Sequence, residues 1–219
     1  MAMQDRLLSY ERELWKQGYK VVVGLDEAGR GPLAGPVVAG AVFISQYPKF
    51  RAQGDFDSKK LTPQMRDELY EILTNHPEIQ WGIGKVSEHV IDTINIFEAT
   101  KLAMNRAVAS LGRKLQKKNL KPDFLILDGN FLLDLALAQK AVIKADTKIF
   151  SCMASSIIAK VTRDRIMRKY HREYPEYGFD RHKGYGTKLH VAMLERYGPC
   201  EIHRKSFQPV SSMGIVSGM

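Results

Sequence analysis

The run Val21-Val22-Val23-Gly24-Leu25-Asp26-Glu27-Ala28-Gly29-Arg30-Gly31 constrains this chain most, because an apolar stretch of strand character breaks into two carboxylates and a glycine-flanked arginine. Pro32-Leu33-Ala34-Gly35-Pro36 follows, and Val37-Val38-Ala39 returns the chain to a second apolar strand. Open α/β sheets place their sites outside the carboxyl ends of strands, with helices over both faces. Paired carboxylates there are costly to keep ionised unless a cation neutralises them. An isolated Asp-Glu in a glycine-rich turn reads more simply as two solvated turn residues. Adjacent strand residues also point to opposite faces, so Asp26 and Glu27 share a site only if the strand bends or ends between them.

Hydrophobic periodicity outlines the rest of the scaffold. Residues 4–17 read as an amphipathic helix stopped by Gly18, residues 20–26 and 36–45 as strands, and residues 79–87 as a third strand. Thr62 is placed as an N-cap, with Pro63 opening a helix that reaches Asn75. Met104, Ala107, Val108, Leu111 and Leu115 recur at helical spacing, the pattern of a core-facing stripe. Phe124 to Leu127 and Ala141 to Ile143 are short apolar runs of the kind found in central strands buried on both faces. A long helix is predicted over residues 150–170, with Asp164 pairing with a neighbouring arginine on it. Past Tyr174-Pro175 a smaller helical, basic and aromatic lobe closes the chain, and residues 211–219 read as a loose tail. The expected class is α/β: a central mixed sheet flanked by helices, in one domain over residues 1–219, with the C-terminal helical lobe within it at about 171–208.

At 219 residues and 44% hydrophobic content, the chain suffices for one sizeable core. No stretch approaches the ~20 continuous apolar residues of a membrane span, and the N-terminus lacks a signal-peptide core, so the expectation is a cytoplasmic protein without membrane association. Cys152 and Cys200 lack zinc or redox spacing and are read as free thiols. The formal charge of +9 is uneven, since fourteen Lys/Arg stand against seven Asp/Glu between Lys144 and Lys205. Lys160, Arg163, Arg165, Arg168, Lys169 and Arg172 cluster along the predicted long helix, a one-sided charge that suits a polyanion.

The segment Gly24 to Val38 resembles the opening motif of the type 2 ribonucleases H, specifically the ribonuclease HII family. Asp57-Ser58-Lys59-Lys60-Leu61, Leu125-Ile126-Leu127-Asp128-Gly129, Lys144-Ala145-Asp146, Ala154-Ser155-Ser156-Ile157-Ile158-Ala159-Lys160 and Lys183-Gly184-Tyr185-Gly186-Thr187 are similar to its later motifs, in the same order. The likeness spans roughly residues 20 to 208 and implies a ribonuclease H-like fold. Two departures are small: Ala145 where glycine is common, and Ser155 where a second alanine is usual. The HIII branch, which carries an added N-terminal domain, is the poorer match.

The resemblance implies that Asp26, Glu27, Asp128 and Asp146 are the catalytic and metal-binding acids. Oxygen-only donors favour Mg²⁺ or Mn²⁺ over zinc. It further implies hydrolysis by water, with no protein nucleophile, of the RNA strand of RNA–DNA hybrids, and incision 5′ to ribonucleotides embedded in duplex DNA. By the same resemblance the products would carry 5′-phosphate and 3′-hydroxyl ends, which would serve removal of misincorporated ribonucleotides and RNA primers. Gly29, Arg30 and Gly31 would read the ribose with Tyr185, Lys59 would contact a phosphate, and the chain would act as a monomer. Two other classes stay open. A metal nuclease of the same fold acting on DNA junctions would cleave without a 2′-hydroxyl. A non-catalytic nucleic-acid-binding module would lack one or more of the four acids.

Overall fold

The computed structural model describes residues 7–46, 48 and 61–213. Lys59 and its Asp57-Ser58-Lys59-Lys60 segment lie outside the described residues, as do residues 4–6 of the first predicted helix and 214–219 of the tail. Five strands, β1 (Val22–Ala28), β2 (Val37–Ile44), β3 (Ile79–Val86), β4 (Phe124–Asp128) and β5 (Ala138–Val142), form one mixed sheet in the order β3-β2-β1-β4-β5. β1 runs antiparallel to β2 and parallel to β4, so the carboxyl ends of β1 and β4 meet at one sheet edge. The last β1–β4 pair is Leu25 with Leu127, which sets Asp26 and Asp128 one step beyond it, side by side.

Strand alternation sorts the sheet into two cores. Val22, Val42, Ile44, Phe124 and Ile126 face α1 (Ser9–Lys16), α2 (Pro63–Asn75) and α4 (Phe150–Glu173). Val21, Val23, Leu25, Ala39, Ala41, Phe43, Leu125 and Leu127 face α3 (Glu88–Gln116), whose stripe includes Met104, Ala107, Val108, Leu111 and Leu115. A third cluster joins Leu33 and Ala34 to α5 (Phe179–His182), α6 (Lys188–Tyr197) and the surrounding turns. Thr62 caps α2, its hydroxyl accepting the Met65 amide at 3.2 Å. Among the described residues no helix is long and apolar enough to cross a membrane.

The structure corrects three local expectations. β5 starts before the 141–143 run and is a partly exposed edge strand, and Ile143, just past its end, is 66% exposed, because among the described residues only β4 pairs with it. The helix carrying the Met104 stripe reaches back to Glu88 across a break at Asn95, whose φ is 66°. There the Asn95 carboxamide oxygen accepts the Phe97 and Glu98 amides at 2.9 and 3.1 Å, capping the second segment. Asp164 pairs with Lys160 at 2.7 Å, one helical turn away, rather than with an arginine.

α4 lies very close to the sheet. A Cβ on Gly40 would stand 2.6 Å from the Ser155 carbonyl oxygen, so glycine at this β2 position sets the approach. The Ser155 hydroxyl donates to the Gly24 carbonyl at 2.8 Å, which accommodates that departure from the family pattern. At the start of α4, buried Glu11 of α1 accepts the Ser151 amide at 2.8 Å. A helix N-terminus favours an anion, but burial dominates and pushes the Glu11 carboxyl up to about 7. The folded protein therefore holds this proton more tightly than the unfolded chain. The stabilisation is fully present below the ordinary value of 4.5 and is lost as pH rises through about 7. Glu11→Gln is expected to gain stability over the parent chain across that window, by on the order of 1 kcal/mol or more at its upper end. Urea denaturation at both ends of the window checks this; a constant difference between the two proteins would refute it.

Candidate active site

β1 continues to Ala28 while paired with β2, yet on its other side pairing with β4 stops at Leu25. Asp26 and Glu27 thus occupy an overhang at the sheet edge, and no strand break is needed between them. Asp26 is 8% exposed; burial, then the charges of Glu27 and Asp128, push its carboxyl well above the ordinary range. The Ser156 hydroxyl and the Glu27 amide, 2.7 Å from Oδ1, offset part of that rise. Burial also raises Glu27, against the pull of Arg30, whose Nη1 lies 3.3 Å from Oε1. Among the described residues Glu27 Oε2 is buried without a hydrogen-bond partner.

Asp128 closes β4 and accepts the Ala145 and Asp146 amides at 3.1 and 3.4 Å, which ties the Ala145–Thr147 turn carrying Asp146 to the same edge. Burial raises the Asp128 carboxyl, the Ala145 amide lowers it, and the charge of Asp146 raises it again. The left-handed residue before Asp146 is Lys144, with φ 57°, so Ala145 needs no glycine. Asp123 is occupied elsewhere, accepting the Lys20 and Val21 amides at 2.7 and 2.9 Å.

The structure therefore brings Asp26, Glu27, Asp128 and Asp146 to one edge. Among the described residues no three His, Cys, Asp or Glu side chains close into a ready metal cage. The acids still fit a hard divalent cation, because the donors are all oxygen, Asp26 is raised by the like charges of Glu27 and Asp128, and one Glu27 oxygen is buried and unpaired among the described residues.

Beside the acids opens a cleft of ≈ 290 Å³ lined by Glu27, Ala28, Gly29, Arg30, Gly31, Ser156, Lys160 and Tyr185. It unites the glycine-flanked arginine with Tyr185, which the chain separates by some 150 positions. Tyr185 is 43% exposed, and its ring edge is 4.0 Å from where a Gly31 Cβ would sit. The Lys160 ammonium is 5.8 Å from the ring centroid.

Two buried arginines hold this loop. Arg204 donates to the carbonyls of Gly29 at 2.5 Å, Arg30 at 2.8 Å and Gly35 at 2.8 and 3.0 Å. Arg163 donates to Pro36 at 2.9 Å, Ala34 at 3.0 Å and Lys183 at 2.9 Å, so one guanidinium spans the acidic loop and the turn leading to Tyr185. Gly29, at φ 99°, has a Cβ position that runs into Arg163, so the close approach requires glycine.

Arg163 is thus no part of a solvated basic face. Arg165 pairs with Glu71 at 2.8 Å, Arg168 with Asp67 at 3.5 Å, and Lys160 with Asp164, so much of the helix charge is compensated within the protein. Sequence reasoning also assigned no role to Ser156 or Arg204. For Arg163 a signal was present: Ser155, Ala159, Arg163 and Met167 recur every four residues, and all four are fully buried.

An ionised Asp26 at neutral pH opposes folding, because its carboxyl is raised in the folded state. Asp26→Asn is expected to stabilise the protein there, because the amide has no charge to keep buried. The gain should shrink as pH falls, since protonated Asp26 no longer carries the charge. Denaturant midpoints at neutral and acidic pH test this, and a destabilised variant at neutral pH would contradict it.

A family profile described as Ribonuclease HII matches residues 23–210. The chain is 53% identical over 201 residues to "Ribonuclease HII" of Chlamydia trachomatis serovar D, covering 92% of this chain and 88% of that protein. Among solved structures, the ribonuclease H2 of Pyrococcus horikoshii OT3 superposes with a TM-score of 0.68 at 30% identity, covering 88% of this chain and 96% of that one. The ribonuclease HII in a PCNA complex from Archaeoglobus fulgidus gives 0.65 at 25% identity, covering 86% and 95%. A profile match over most of the chain, and half-identity along nearly all of a relative's length, mean that the chain belongs to the ribonuclease HII family, a family of hydrolytic nucleases.

Proposed function

We propose that the chain is a divalent-metal-dependent endonuclease that cleaves the RNA strand of RNA–DNA hybrids and incises 5′ to single ribonucleotides in duplex DNA. The observation that carries this reading is the shared cleft, where the acidic edge, the Gly29-Arg30-Gly31 loop and the exposed Tyr185 ring meet. Asp26, Glu27, Asp128 and Asp146 would hold Mg²⁺ or Mn²⁺. Such an ion, when bound, supplies Lewis-acid activation of water and charge compensation at the scissile phosphate and the leaving 3′-oxygen.

The protein's own groups supply positioning and selectivity. Arg204 draws the Gly29 and Arg30 carbonyls inward. In a trans peptide the N–H points opposite to the C=O, so the Arg30 and Gly31 amides are aimed away from Arg204. These amides, unencumbered by side chains at Gly29 and Gly31, are suited to a ribose 2′-oxygen, the group that separates RNA from DNA. The Arg30 guanidinium suits a neighbouring phosphate. The Tyr185 ring offers a stacking surface to the adjoining sugar. A site built on polar contacts to one hydroxyl rejects the analogue lacking it, because buried polar groups would be left unpaired. The C-terminal lobe, about residues 171–208, would serve as the substrate-binding part of a single catalytic domain.

The test is incision of a labelled DNA duplex holding one ribonucleotide, beside an all-DNA duplex, with Mg²⁺, Mn²⁺ or chelator. Cation-dependent incision on the 5′ side of the ribonucleotide alone is expected; equal cleavage of the all-DNA duplex would refute the 2′-hydroxyl reading. Asp26→Asn or Asp128→Asn should lower turnover by ~10³-fold or more while salt-sensitive binding persists, as expected of groups serving the reaction rather than the duplex. Tyr185→Ala should lower cleavage at a single ribonucleotide by roughly 10-fold or more, the worth of a lost stacking surface. An unchanged preference for that substrate would remove Tyr185 from recognition.

A further inference from the structure

Behind Tyr185 the lobe buries three imidazoles, His182, His190 and His203, none of which lines the cleft. Their hydrogen bonds run in one direction. The Cys200 amide, which can only donate, lies 2.9 Å from His203 Nδ1, closer than the Cys200 thiol at 3.1 Å and carbonyl at 3.3 Å, so that nitrogen accepts and the His203 proton sits on Nε2. His203 Nε2 faces His190 Nε2 at 3.0 Å, so His190 accepts there and carries its own proton on Nδ1. His190 Nδ1 is 3.0 Å from the Tyr185 carbonyl oxygen, which also accepts the Thr187 amide at 2.8 Å, and there the chain of donors ends. His182 follows the same logic. The Gly184 amide donates to its Nδ1 at 3.2 Å, and its Nε2 donates to the Tyr177 carbonyl at 2.7 Å. The His182 ring stacks on His190 with centroids 4.4 Å apart and planes 15° from parallel. Burial pushes both His190 and His203 down to about 4, which keeps the rings neutral. A cationic His190 would set two N–H groups against each other across the 3.0 Å contact.

We infer that His190, with its proton locked on Nδ1 by His203, is a positioning residue that pins the Tyr185 carbonyl and so holds the Tyr185 ring over the cleft. The inference rests on the role proposed for Tyr185 in ribonucleotide recognition. It assigns a part in substrate selectivity to a buried pair that never meets the substrate. His190 also packs against the Phe179 ring at 5.4 Å, so replacing it disturbs the lobe's core as well as the hydrogen bond. The test must separate these two effects.

His190→Asn places an amide N–H near the position of Nδ1 and can keep the bond to Tyr185, whereas His190→Leu has similar bulk and no donor. The quantity read is the ratio of kcat/KM for one embedded ribonucleotide to that for a continuous RNA–DNA hybrid. His190→Leu is expected to lower this ratio about 5-fold, the worth of one hydrogen bond, and His190→Asn to restore most of it. The Leu defect should vanish in a Tyr185→Ala background, because both changes remove the same placement. Nitrogen-15 NMR of the unaltered protein should show His190 as the Nδ1-protonated tautomer, a signature that core packing alone does not require. Equal losses in the Leu and Asn variants, an undiminished Leu effect beside Tyr185→Ala, or an Nε2-protonated His190 would each overturn the inference. Should Tyr185→Ala itself leave the ratio unchanged, the recognition role of Tyr185 fails and the inference falls with it. A changed ratio for Tyr185→Ala with none for His190→Leu overturns the positioning role alone. Melting temperatures identify any variant that fails to fold, and the tautomer remains decisive without variants.

Discussion

Two guanidinium groups inside the protein, those of Arg163 and Arg204, organise everything around the acidic edge. Both side chains are fully buried, and their hydrogen bonds go to backbone carbonyls between Gly29 and Pro36 and to Lys183. Burial lowers them to about 10 and about 9, so both keep their charge at neutral pH. Removing such a charge from water costs several kcal/mol, which only a full set of acceptors can offset. The planar fork of five donors meets that need where a lysine's point charge could not. The loop must therefore follow the path that brings its carbonyls to these two side chains. The direction of its amides follows from that path, and so does the position of the Tyr185 turn.

The same edge holds an opposite problem. Asp26, Glu27 and Asp128 are all raised by burial, and the field of one acts on the next. For stability alone, neutral side chains would serve better at such a place. Retaining acids there is a trade of stability for chemistry, of the kind expected where a protein prepares a site for a cation. Helix α4 serves both sides of the arrangement. Its Ser155 and Arg163 face the sheet and loop, while Ser156 and Lys160 turn a little further round to line the cleft. Glycine at position 40 lets the helix lie close enough for a one-residue step around its axis to separate structural from cleft-lining groups.

Much of this was legible from the order of residues. The capped start of α2 at Thr62, the alternation of β1 and the apolar run of β4 are local signals, and the structure follows them. The strand-end acids could be named as a set because the segments around them resemble the family's motifs in order; taken singly, each reads as an ordinary turn or loop acid. What went unread involved partners distant in the chain. Arg163 looked like one member of a basic run, yet its acceptors are more than a hundred residues away for Ala34 and Pro36. Arg165 and Arg168 belonged to the same run and turned out to pair with α2. Ile143 looked like core and is exposed, because an apolar run carries no record of whether a strand will lie at the edge or the centre of its sheet.

By itself, then, the sequence determined which segments become strands and helices and where the acids sit along them. These are consequences of periodicity and backbone freedom, which act over a few residues at a time. Only the tertiary structure decided that β1 and β4 run parallel, so that acids a hundred positions apart reach one edge. It also decided which arginines are buried in the loop and which are exposed to solvent, and that three imidazoles line up behind Tyr185. The physical reason is that burial and hydrogen-bond direction belong to the packed neighbours of a group, and neighbours are set by how elements dock rather than by their order in the chain.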